Sequence, residues 1–262
     1  MTEFVYGSVE APAEYRKSKS KPAYIEHLGK QRQYWRDIIL GVNDGLVSTF
    51  LLVSGVSGGG FPVNYILLTS ISGAMAGAVS MFAGEYIATK SQHQVLAGEI
   101  KLEKIHIHHY HRNEVKELQN LFSLIGIPED EKIGLDIRDT LVDFYASDED
   151  ALLKIMIALE FGVLEEERRV PILAGLVSGF LFLLGSAPSV IPFALVCDQN
   201  TGLIAATLCT GTALLLVGIV KSCATREFWV WPAIENLAIT GLGGFIAYTI
   251  GVGFESMVKS HS

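Results

Sequence analysis

The chain has 262 residues, half of them hydrophobic, with 26 glycines and a formal net charge of −8. That is too apolar for an ordinary soluble domain and points to an all-α, polytopic membrane protein. Nothing in it is basic enough for nucleic acid, so that class is dropped. Cys197, Cys209 and Cys223 are scattered and form no CxxC, which implies neither a disulfide framework nor a zinc cage.

Residues 1–34 form a polar tail carrying RKSKSK at 16–21, a solvated segment able to meet anionic lipid. The tail lacks the apolar run of a cleavable signal peptide. The first span is predicted at about 37–57, inside WRDIILGVNDGLVSTFLLVSGVSGG, and it contains Asp37 and Asp44. Carboxylates at membrane depth are costly and mark a functional site by default. The two lie seven residues apart and therefore share a helix face. A turn at Ser57–Pro62 leads to a second span at about 65–89, rich in small residues, with Gly73 and Gly77 in a GxxxG. Met81 and Glu85 sit in it at i,i+4 spacing.

The character changes from Lys90 to Arg169, where 17 acids and 10 basic residues carry −7 of the net charge. The pattern predicts three helical pieces: 90–125, ended by Gly126 and Pro128, then 129–145, then a piece opened by Ser147. Three more spans follow at about 170–192, 202–221 and 233–255. Pro171 opens the first of these and Pro188 and Pro192 end it; Pro232 opens the last. The chain thus divides into a tail (1–34), spans one and two (35–89), an insert (90–169), spans three to five (170–258) and a short end (259–262).

Lysine and arginine placement orients the spans. Seven lie in the N-terminal region through Arg36, ten in the insert, and Arg226 in the 222–232 link with Lys221 at its border. The connections at 58–64 and 185–200 have none, and the C-terminal end has only Lys259. The tail and the insert are therefore expected in the cytosol and the C-terminus on the lumenal or extracellular side.

The insert carries the densest set of donors. Glu99 and Glu103 are one turn apart with His106 following, and Glu114 and Glu117 form another pair on what should be the same long helix. Met156 and Glu160, on the third piece, are placed to close the site from the opposite side. Carboxylates, an imidazole and a thioether together suit a first-row divalent metal such as Fe²⁺ better than Ca²⁺ or Mg²⁺. Of His106, His108, His109 and His111, only His106 is in register with the carboxylate face.

RDIILGVNDGLVSTFLLVSGVSGG at 36–59, SMFAGEYIATKSQ at 80–92 and the glutamate-rich insert together resemble the vacuolar iron transporters. The resemblance implies a five-helix homodimer that moves cytosolic Fe²⁺, in some members Mn²⁺, into a vacuole in exchange for protons. It implies a pore at the dimer interface, lined by the first helices and fed by a cytosolic metal-binding domain. It sets Asp44, Asp37, Met81 and Glu85 on the transport path, and Glu103, Glu114, Glu117, Met156 and Glu160 among the metal ligands, with Glu99 nearby. His106 departs from the pattern where a further glutamate is expected. The implied protein is no enzyme and holds no tight cofactor, iron being cargo, with Mn²⁺, Co²⁺, Zn²⁺ or Ni²⁺ as other candidates. A Mn²⁺ or Zn²⁺ transporter is the nearest alternative. A membrane-anchored di-iron carboxylate enzyme is a rival from another class, because Glu103 to His106 is an ExxH, but such sites want two copies. A metal sensor that conducts nothing would have no use for Asp44.

Overall fold

A computed structural model of the protein describes residues 31–127, 132–162, 169–225 and 230–261. The basic run at 16–21, Pro128 and Arg226 lie outside the described residues. Those described form helices α1 (Gln31–Gly58), α2 (Val63–Leu124), α3 (Lys132–Ala146), α4 (Glu149–Glu160), α5 (Pro171–Leu195), α6 (Gln199–Thr225) and α7 (Val230–His261). Five are long and apolar enough to cross a membrane: α1 from Trp35, α2, α5, α6 to Ser222, and α7 from Ala233 to Ser260. A helix satisfies its own backbone groups, which a lipid interior demands. Leu68, Val79, Leu184, Leu208 and Phe245 are exposed on the outside of this bundle, as lipid-facing side chains should be.

The first span sits at the centre, since α1 packs against α2, α5, α6 and α7. Glycine sets how closely. A Cβ on Gly45 would collide with the Phe182 carbonyl oxygen, and one on Gly185 with that of Val42, so α1 and α5 cross backbone to backbone. Gly58 and Gly251 play the same part between α1 and α7. The GxxxG of α2 serves differently: Gly73 receives the Leu52 side chain and Gly77 the Phe182 ring. Between the helices, Thr49 donates to Ser186 at 2.9 Å, and Ser189 shares a 2.8 Å bond with Thr210. The Gln199 amide donates to the Ser57 carbonyl at the end of α1, at 2.6 Å. Gly45→Val should therefore cost about 1–3 kcal/mol through overpacking, read as a lowered melting temperature in detergent. Gly84→Ala, where, its own helix backbone aside, no atom of the described residues lies within 4 Å of an added Cβ, should leave that temperature unchanged or slightly raised.

Three expectations need correction. Pro188 and Pro192 lie inside α5, which runs to Leu195; the bundle holds the helix through both prolines, at the cost of two backbone donors. Asp148, not Ser147, caps α4, accepting from the Asp150 N–H at 2.9 Å. The largest difference lies in α2, where Tyr110 has non-helical angles (φ −125°, ψ 30°). In a straight helix residues eleven apart are about 16 Å apart along the axis. The carboxyl groups of Glu103 and Glu114 nevertheless lie close enough to raise one another's charge cost, and Ile107 and Leu118 lie in one apolar cluster. The chain therefore bends sharply at Tyr110, and the acidic pairs stand on two arms rather than on one rod. Phe122, Val142, Leu152, Leu153 and Met156 complete the core that holds these arms to α3 and α4.

Candidate functional site

Two groups of polar residues stand out, one in the insert and one where the insert meets the spans. In the insert, Glu103 and Glu114 are buried despite their charge, while Glu99, Glu117 and Glu160 are exposed at the rim and His106 is half-buried. The bend at Tyr110 brings the Glu99/Glu103 arm against the Glu114/Glu117 arm, and α4 adds Glu160. Burial pushes the Glu103 carboxyl up to about 7, helped by the charges of Glu114, Glu160 and Glu117. Burial likewise raises Glu114, with Glu117 adding to the effect and His106, 3.7 Å away, opposing it. Glu160 is raised by partial burial and by Glu117, Glu114 and Glu99. Five carboxylates and one imidazole thus share one electrostatic neighbourhood.

Such a concentration of like charge is unfavourable by itself and is relieved by a bound proton or cation. Oε1 of Glu103 is buried without a hydrogen-bond partner, an orphaned acceptor of the kind a cation satisfies. Among the described residues no three His, Cys, Asp or Glu already stand close enough to enclose an ion, so the group is a convergent patch rather than a closed cage. Met156 is fully buried among the apolar side chains of the insert core, and packing alone accounts for it. His108 pairs with Glu149 at 3.8 Å, away from this patch. Sequence periodicity could not show the bend, because His106–His111 contains neither glycine nor proline.

The second group lies at the insert end of the bundle. Asp37 is buried (3% exposed) and Glu85 half-buried, and both are held by one guanidinium. Arg169 donates to Oδ2 of Asp37, and its Nη1 lies 3.1 Å from Oε1 of Glu85. Arg36, largely exposed, stands 3.4 Å from Asp37 and 3.8 Å from Glu85. Thr89 adds a 3.5 Å hydrogen bond to Glu85. Arg169 went unread in the sequence, although the pair Arg168-Arg169 beside Pro171, at a span boundary, marked the place.

Deeper in α1 the two aspartates part company. Asp37 is enclosed by α2 and the start of α5, whereas Asp44 is exposed on the outer surface of the chain, together with Leu40 and Ser48. The seven-residue spacing gave a shared face; the reach of Arg169 over Asp37 gave them different surroundings. Leu52 against Gly73 and Arg36 against Glu85 fix an antiparallel register between α1 and α2. That register sets Asp44 at the depth of Met81, which is half-buried. Glu255 lies at the opposite end of the bundle, paired with Lys259 at 2.6 Å.

Five membrane-length helices joined to an acidic helical insert define a polytopic helical membrane protein with a carboxylate-rich insert at one end. The sequence pattern of the VIT family matches residues 35–252, and the chain belongs to that family. It is 28% identical over 225 residues to vacuolar iron transporter 1 of Eucalyptus grandis, covering 86% of each protein. Over 222 residues it is 26% identical to vacuolar iron transporter 1 of Tulipa gesneriana, covering 85% of this chain and 87% of that protein. A shorter match, 40% identical over 74 residues, is to vacuolar iron transporter homolog 3 of Arabidopsis thaliana and covers 28% of this chain and 37% of that one.

Proposed function

We propose that the protein moves a divalent metal ion, Fe²⁺ by analogy with its named relatives, from the cytosol into an acidic, vacuole-like compartment in exchange for protons. The observation that carries this reading is the carboxylate patch around Glu103, with its buried, unpartnered oxygen. Oxygen donors with one imidazole suit a first-row divalent ion as passing cargo. In this reading residues 90–169 form a cytosolic metal-binding domain, whose ligands Glu99, Glu103, His106, Glu114, Glu117 and Glu160 collect the ion, with Met156 packed in the core beneath them. It then passes Asp37 and Glu85 at the mouth and Asp44 and Met81 deeper down. Protons taken up by these carboxylates from the acidic side release the metal there.

The exposure of Asp44 supports a homodimer. A carboxylate at membrane depth on an outer surface would otherwise face hydrocarbon, at a cost of about 2.5–3.5 kcal/mol. A second copy facing this surface of α1 would turn it into the wall of a polar path. In this reading the insert and the N-terminus lie in the cytosol and the C-terminus in the lumen, an orientation that the basic residues of the insert favour.

Purified protein in proteoliposomes, with Fe²⁺ offered to the insert side and a proton gradient imposed, tests the whole reading. Metal flux that rises with the gradient, and a matching proton flux, are expected. Metal uptake no faster than in empty vesicles would refute it. Competition among Fe²⁺, Mn²⁺, Co²⁺, Zn²⁺ and Ni²⁺ in the same assay ranks the cargo.

A further inference from the structure

The mouth of the proposed path is already occupied by a cation that belongs to the chain. The Arg169 guanidinium lies between Asp37 and Glu85, one arm to each, and is itself 8% exposed. Arg169 directly precedes Val170, the N-cap of α5, and Pro171, its first residue. A positive side chain there gains nothing from the helix dipole, whose N-terminal end is also positive. The carboxylates from α1 and α2 each engage one arm of it. Their combined charge of about −2 matches a divalent cation in magnitude, and carboxylate oxygens engaged by a guanidinium are not available to a metal.

We propose that Arg169 is a tethered competitor for the substrate metal, holding Asp37 and Glu85 in a closed, partly neutralised state in which an arriving divalent cation must take its place. Vacating the position without replacement would leave two carboxylates, one of them buried, with only the largely exposed Arg36 beside them, which is unfavourable. The mouth therefore opens by substitution of one cation for another, and an empty mouth is closed to stray ions. Arg36, more exposed and more distant from Glu85, stays as a flanking charge. The inference about flux rests on the transport reading; the inference about occupancy of the mouth does not.

Mn²⁺ bound to the full-length protein in detergent, counted by electron paramagnetic resonance, tests the occupancy. Arg169→Gln should bind one Mn²⁺ per chain more than the native protein, and adding Glu85→Gln should remove that extra ion. An unchanged count in folded Arg169→Gln protein overturns the proposal, as does an extra ion that survives Glu85→Gln. Should Arg169→Gln not fold, Arg169→Lys decides. A single ammonium holds the two carboxylates less well than the two-armed guanidinium, so the extra Mn²⁺ should still appear, at higher concentration, and its absence overturns the proposal. In proteoliposomes Arg169→Gln should lower the half-saturating metal concentration by about tenfold, while a purely structural arginine would lower only the maximal rate. Native vesicles that pass no metal would refute the transport reading and leave the Mn²⁺ count to judge Arg169.

Discussion

Replacing Asp44 with alanine is expected to abolish metal flux, by about a hundredfold or more, while leaving the fold intact. The two halves of that expectation have separate causes. A divalent ion crossing hydrocarbon depth needs compensating charge, and losing about 3 kcal/mol of it slows passage roughly a hundredfold. Asp44 itself is exposed on this chain, so truncation opens no cavity and the melting temperature in detergent should hold. Asp44→Asn separates charge from shape and should behave like the alanine variant. Native-like flux through either variant would remove Asp44 from the path.

Glu103→Gln should weaken metal binding by the full-length protein at pH 8 by roughly 10–100-fold, and at the same time stabilise the metal-free protein. The carboxyl of Glu103 is raised from 4.5 to about 7 in the folded chain. Between those values the folded state holds a proton that the unfolded state has released. Its contribution to stability is therefore unfavourable above about pH 7, fades as the pH falls, and is gone below about pH 4.5. Removing the charge should raise stability at pH 8 by on the order of 1–3 kcal/mol and change it little at pH 4.5. Native metal affinity should likewise fall below pH 7, where protons compete for the same oxygen. Calorimetric affinity at pH 8 equal to the native value would take Glu103 out of the metal site. A structural carboxylate would show the opposite stability change, because its loss would destabilise the protein.

These two residues also show how unevenly sequence reading reached the site. The five apolar stretches and the acidic insert followed from composition, because a span is a matter of length and hydrophobicity and needs no partner to be recognised. Spacing identified Glu99 with Glu103 and Glu114 with Glu117 as pairs, since neighbours one turn apart are fixed by the helix itself. Their meeting across Tyr110 was out of reach, because a bend without glycine or proline leaves no local mark and is held by the apolar core around Leu118 and Met156. Pro188 and Pro192 misled for the converse reason. A breaker signal is local, and tertiary packing carried α5 past both to Leu195.

The sequence by itself determined the class: an all-helical membrane protein of the VIT family, acidic at one end, with aspartates in its first span. Helix periodicity and hydrophobicity are properties of short stretches and survive any rearrangement of the rest. Only the tertiary structure decided what surrounds each charge. Arg169 reaches Asp37 across 132 residues of chain, and nothing local in either stretch announces the pairing. The same distance law separates the two aspartates: Asp37 lies beneath the start of α5 and is neutralised there, while Asp44, two turns further along the same face, is left uncovered for a partner or a passing ion.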